Sequence, residues 1–154
     1  MTELTVVIVL AGLVTIGLVT FYFNSQATWI DGSTQAMTQR EGTGLVEIMA
    51  DTIRFATSAE VNNSPDPLHQ QLILRDQYDV VIGQFVWNSS DSLIHYAFGP
   101  TAIDQGPLMT SKVTRFQLDK DNKLVYLRLL ELRSANDQLV RTSSTMAMLN
   151  APIP

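Results

Sequence analysis

Leu4 to Phe23 reads LTVVIVLAGLVTIGLVTFYF and contains neither a charged residue nor a proline. A helix built from it has no polar face to turn to water, the pattern of a segment enclosed by lipid or by other helices. About twenty residues at 1.5 Å of rise span roughly 30 Å, the thickness of a bilayer's hydrocarbon core. A single acid, Glu3, stands just ahead of the run.

The pattern then changes without a break. Asn24–Val61 holds no proline, although Gly32, Gly42 and Gly44 weaken it as a helix. Its large apolar residues Ile30, Met37, Leu45, Ile48 and Phe55 recur at spacings of seven, eight, three and seven, which suits a helix with one buried stripe. Glu41 and Thr52 fall on the same stripe. Asn62-Asn63-Ser64-Pro65-Asp66-Pro67 is the first stop signal. The prediction is one helix of about 55–60 residues, apolar all round in its first third and amphipathic after that.

From Leu68 the period shortens to that of strands. Gln71–Arg75, Tyr78–Asn88, Leu93–Phe98, Ser111–Leu118, Lys123–Arg133 and Leu139–Leu149 are the candidates. Asn88–Asp91, Gly99-Pro100, Gly106-Pro107, Asp119–Asn122 and Ser134–Asp137 separate them as turns. Connections this short favour antiparallel hairpins. Within Lys123–Arg133, Val125, Leu127 and Leu129 are expected on one face and Tyr126 and Arg128 on the other. The sheet needs a cover, and the amphipathic half of the helix is the element available. The fold class is therefore α+β, a long N-terminal helix packed on a C-terminal antiparallel sheet. Its expected divisions are residues 1–24 (apolar helix), 25–61 (amphipathic helix) and 62–154 (sheet).

Charge and composition narrow the chemistry. Ten basic against fifteen acidic residues leave the 154-residue chain at −5, and no basic residue occurs before Arg40. That balance argues against a nucleic-acid partner, which needs a basic surface, and leaves no polybasic patch for anionic lipid. With no cysteine, there is no disulfide, thiolate metal site or cysteine nucleophile. Ser25-Gln26-Ala27 is a small-x-small triplet of the kind that ends a cleaved signal. Met1-Thr2-Glu3 lacks the positive n-region, however, and the apolar run exceeds the usual 7–15 residues, so the segment is read as retained.

Met1-Thr2-Glu3-Leu4-Thr5-Val6-Val7-Ile8-Val9-Leu10-Ala11-Gly12 resembles the cleavage and methylation segment of type IV pilins. Gly44–Ala56, with Asp51 and Arg54, is similar to minor pilins and type II secretion pseudopilins. Ser143–Asn150, ending Met148-Leu149-Asn150, looks like their final strand. The likeness is specific over Met1 to Phe23 and generic beyond. Here the glutamate stands two places nearer the first residue than in the usual pattern. Either this chain is a member short by two residues, or it begins two residues inside the mature protein.

The resemblance implies a structural subunit of a bacterial type IV pilus or related extracellular filament. Its partners would be other copies of itself, the inner membrane before assembly, the assembly machinery and the prepilin peptidase. It implies no cofactor. Glu3 would neutralise a neighbour's terminal amine and set the axial register, and the amine of Met1 would be methylated. The core would be packed by Leu4, Val7, Ile8, Leu10, Gly12, Leu13, Gly17, Leu18, Phe21 and Phe23. Two alternatives stay open: a minor pilin or pseudopilin that primes or caps a fibre, and a single-pass membrane protein with a periplasmic binding head and no polymer.

The remaining candidates each have a plainer reading. Phe21, Tyr22, Phe23 and Trp29 read as an interfacial aromatic belt. Asp119 and Asp121 resemble a calcium-loop fragment, but the downstream glycine and glutamate are missing and a hairpin turn is the better reading. Asn62 and Asn88 open glycosylation sequons. His69 and His95 lie in no cluster of metal spacing. Asp76, Asp79 and Glu131 are not brought together by anything in the sequence. With no nucleophile, phosphate-loop or dinucleotide motif, an enzyme is not expected.

Overall fold

The computed structural model describes residues 2–63, 69–99 and 103–149. Helix α1 (Thr2–Phe55) is followed by eight strands: β1 (Ser58–Asn63), β2 (His69–Arg75), β3 (Val81–Asn88), β4 (Leu93–Phe98), β5 (Ile103–Pro107), β6 (Lys112–Asp121), β7 (Leu124–Arg133) and β8 (Leu139–Ala147). The fold is α+β, with every strand pair antiparallel. The single expected sheet is two, ordered β1-β2-β3-β4-β5 and β6-β7-β8. The chain divides into two compact units, Met1–Thr34 and Gln35–Pro154.

In the second unit α1 buries Thr38, Gly42, Leu45, Met49 and Ile53, at spacings of four, three, four and four. This corrects the sequence-derived stripe, of which only Leu45 is buried; Met37, Ile48 and Phe55 are 68%, 40% and 70% exposed. Close approach is the physical reason. A Cβ on Gly42 would lie 3.0 Å from Leu132 Cδ1, and one on Gly83 would lie 2.7 Å from Thr52 Cγ2. Gly42 lets this face come near Leu132 of the second sheet and Gly83 of β3 makes room for Thr52, while the fully buried Met49 and Ile53 join Leu45 as its apolar part; hydropathy gives Thr38 and Gly42 little weight.

The helix also ends at Phe55 and does not reach Val61. Ala56 N–H donates to the Ile53 carbonyl at 3.1 Å, and Thr57 N–H then donates to the Arg75 carbonyl at 2.8 Å, committing the chain to β1. Thr57 and Ser58 are weak helix formers, so the ladder with β2 prevails. Tyr78–Val80, expected in a strand, form a turn. The Asp76 carboxylate accepts from Tyr78 N–H at 2.8 Å and Val80 N–H at 2.9 Å, and Asp79 has φ 62°.

One core serves both sheets. Phe85, Leu72 and Ile94 from the first meet Phe116, Leu130 and Leu132 from the second, with Met49 and Ile53 of α1. Leu129 does not share the Val125 and Leu127 face as expected. Gln117 pairs with Leu129 but Leu118 pairs with Leu127, and Ser144 pairs with Leu127 but Thr142 with Leu130, so β7 carries an extra residue against both neighbours. The inward series therefore runs Val125, Leu127, Leu130, Leu132, all buried, while Leu129 is half-buried.

Glu41 ties α1 to the segment before β6. Its carboxylate accepts from the Thr110 hydroxyl and, at 2.9 Å, from Ser111 N–H. Partial burial pushes its pKa up, but these donors outweigh burial and hold it below the ordinary value. A carboxyl depressed in the folded state stabilises in full above the ordinary carboxylate range, and that contribution is lost as pH falls through the folded value. Glu41→Gln should therefore cost about 1 kcal/mol at pH 7, discounted for its exposure. Its melting temperature should also fall less than the parent's between pH 7 and pH 3. Parallel acid limbs in thermal melts of the two proteins would show that Glu41 is not such a group.

Candidate functional site

Exposed apolar surface is the most pronounced chemical feature of the first unit. Every large apolar residue from Leu4 to Phe23 is exposed, from 48% at Val19 to 72% at Phe21. α1 is long and apolar enough to cross a membrane, the one such helix among the described residues. Leu4, Val7, Ile8, Leu10, Leu13, Leu18, Phe21 and Phe23, the residues assigned above to packing, all belong to this surface. A Cβ on Gly12 or Gly17 would meet nothing within 4 Å, so both sit where another helix can approach.

The polar groups of this segment are largely satisfied along the helix itself. The hydroxyls of Thr15 and Thr20 donate to the carbonyls of Ala11 and Ile16, each at 2.8 Å. Gln26 Nε2 donates to the Tyr22 hydroxyl at 2.7 Å. Hydroxyls bonded this way carry a reduced cost in hydrocarbon, where no water can serve them. Tyr22 and Phe23 stand edge to face with centroids 6.0 Å apart, and Trp29, 78% exposed, follows nearly two turns later. These aromatics mark the end of the apolar run, where amphipathic rings are favoured. Glu3 lies exposed in the first turn of α1, where the helix dipole favours a carboxylate. Met1 lies outside the described residues.

The other sequence candidates resolve into structural roles. Asp119 accepts from Arg128 at 3.0 Å and from Lys120 N–H at 2.8 Å, and these hold its pKa low. Beside it, Asp121 ends β6, and Asn122, with φ 48°, turns the chain into β7, so the segment is a hairpin. Asn62 is exposed on β1, but Ser64 of its sequon lies outside the described residues. Asn88 ends β3, and its Oδ1 accepts from Ser90 N–H at 3.0 Å and Ser90 Oγ at 2.8 Å. The backbone of His69 lies in β2.

Glu131 and the Asp76–Asp79 turn keep separate partners. Glu131, buried, accepts from Thr114 Oγ1 and Arg141 Nε at 2.8 Å each, and these bonds lower its pKa. Two features were not legible beforehand: the Glu41 tie, and a bond of 2.6 Å between His95 Nε2 and Asp91 Oδ2 that holds Asp91 low. Both depend on loop geometry, which leaves no period in a sequence.

No protein-family model matches this chain, and neither a curated protein nor a solved structure matches it significantly. The fold and the exposed segment therefore carry the functional reading by themselves.

Proposed function

We propose that the chain is a subunit of a bacterial type IV pilus or related filament, held in the inner membrane by residues 4–23 and polymerising through the same surface. The observation that supports this most is α1. An acid-led segment that exposes all its large apolar side chains continues without a break into a helix half-buried by the core of the second unit. Lipid tails are as apolar as these side chains, so the gain on leaving lipid would come from close packing at Gly12 and Gly17. The exposed Met37, Ile48 and Phe55 add apolar contact area on the later half of the same helix.

Glu3 is assigned the register. A carboxylate and a terminal amine each carry several kcal/mol of desolvation in an apolar surround, and pairing offsets it. The proposal includes no catalytic step and no cofactor. Its first test is Glu3→Ala expressed with a pilus assembly system. Membrane levels should match the parent while incorporation into sheared fibres falls at least tenfold. Unchanged incorporation would remove the assembly role from Glu3. A few copies per fibre would favour the priming or capping subunit, and a chain recovered only as a membrane-bound monomer would favour the non-polymerising anchor.

A further inference from the structure

Charge is divided unevenly in the second unit. Seven of the chain's ten basic residues but only four of its fifteen acids lie between Lys112 and Arg141, so the β6-β7-β8 sheet is basic by three in a chain acidic by five. Phe116, Leu127, Leu130 and Leu132 turn into the core, and the other face of this sheet carries Arg115, Arg128, Arg133 and Arg141, all exposed. Arg115, Glu131 and Arg141 share one rung across the three strands, and the one acid among them is buried. Further along β7 and β8 is a depression of about 420 Å³. Tyr126, Arg128, Ser143 and Thr145 line it, with the Arg128 guanidinium 4.8 Å from the centre of the Tyr126 ring.

The rest of the unit has the opposite sign: residues 35–111 hold three basic and nine acidic residues. Their acidity gathers where β2 turns into β3. Glu60 and Asp79 lie 3.8 and 3.7 Å from the Arg75 guanidinium, and Asp76, next in the chain, adds a third carboxylate to that one cation. The turn is fixed from within. Asp76 N–H donates to the Val80 carbonyl at 2.9 Å, while its carboxylate accepts from Tyr78 N–H and Val80 N–H. Tyr78 stands on this turn, 76% exposed. An aromatic ring held out into water on a rigid turn loses little freedom on docking, and tyrosine is among the residues that anchor interfaces.

We infer that the Asp76–Val80 turn of one copy docks into the β7–β8 depression of a second copy, with Tyr78 entering between Arg128 and the hydroxyls of Ser143 and Thr145. The acids beside Tyr78 then face Arg115, Arg128 and Arg141. The acids of the receiving face do not oppose them, because Asp119 is bonded to Arg128 at 3.0 Å and Glu131 to Arg141 at 2.8 Å. Complementary charge sets the partner and its orientation. Both halves of the contact belong to one chain and lie on different sheets, so each copy offers one projection and one depression. Such a contact is heterologous, adds copies head to tail and fits an open helical filament. Its place between neighbouring subunits rests on the filament reading, whereas the contact itself can be tested without fibres.

The chain has no cysteine, so an engineered pair reports this contact without background. Gln77→Cys, exposed beside Tyr78, and Ser143→Cys, exposed in the depression, are placed in the full chain in detergent, where micelles enclose the apolar segment. Under mild oxidation a mixture of the two single variants should give a disulfide-linked dimer, and a chain with both should give a ladder of oligomers. Adding Tyr78→Ala or Arg128→Gln, both at exposed positions and expected to melt like the parent, should cut either product at least tenfold. Raising salt from about 50 mM to about 500 mM should cut it as well, because exposed charges are screened while apolar contacts are not. No cross-link from the mixture, a Gln77→Cys homodimer formed as readily as the mixed dimer, or a ladder indifferent to Arg128→Gln and to salt would each overturn the inference. A cross-link abolished by an unrelated acidic, tyrosine-bearing peptide at millimolar concentration would overturn it in favour of a general acidic-peptide site. Fibre assembly is scored separately with Glu3→Ala. A ladder in detergent with no fibres in cells leaves this contact standing and the filament reading fallen, and fibres with no ladder does the reverse.

Discussion

Leu13→Arg should expel the apolar segment from the membrane. Leu13 lies near the middle of the Leu4–Phe23 run and is exposed, so a guanidinium there has no protein partner to reach for. A charge at the centre of a spanning helix costs about 3 kcal/mol on insertion scales, roughly a hundredfold in the insertion equilibrium. The same substitution at Phe23 should cost far less, because a long side chain near the helix end reaches the interface. Carbonate extraction of membranes is the measurement: the Leu13 variant should move to the soluble or degraded fraction while Phe23→Arg stays with the parent. Equal retention would mean that the run is enclosed by something other than lipid.

Phe85→Ala should destabilise the second unit more than any other single truncation proposed for it. Its ring is fully buried and lies 4.9 Å from that of Tyr96, its cross-strand partner, inside the cluster shared by both sheets. Truncation removes the transfer free energy of the ring and leaves a cavity, together about 3–5 kcal/mol. Against a total of about 5–15 kcal/mol that is a large share. Phe98, on the same strand as Tyr96 but mostly exposed, sets the control: Phe98→Ala should change stability by no more than about 0.5 kcal/mol. Urea unfolding of the detergent-solubilised chain followed by proteolysis would read both. A Phe85 variant as protease-resistant as the parent would mean that the core tolerates collapse around the gap.

What could be read beforehand was what period and composition record. Leu4–Phe23 needs no partner to be recognised, because the segment is apolar in every direction. β4 was read at its true bounds and β7 within a residue, because alternation and flanking turn formers mark both. The buried face of α1 departs from the expected stripe because Met49 and Ile53, at spacings of four from Leu45, are the apolar residues the sheets cover, and Thr38 and Gly42 extend that face by their small size. β1 and β5 were missed because Ser-Ala-Glu-Val-Asn-Asn and Ile-Asp-Gln-Gly-Pro have little strand character, and neighbouring strands recruit them. The apolar segment is thus legible as a surface, whereas the bonds of Glu41 and Asp91 become visible only with their loops in place.

The surplus residue of β7 gives the second sheet a margin in length. Where Arg128 and Leu129 stand, β6 and β8 each count one residue fewer. Losing a residue from a central strand ordinarily turns every later side chain to the wrong face. Here both ladders would close over the loss, with Val125, Leu127, Leu130 and Leu132 still directed inward. The middle strand of the sheet, normally the place least tolerant of a deletion, therefore contains a point at which the gene can shorten by one codon and keep its core.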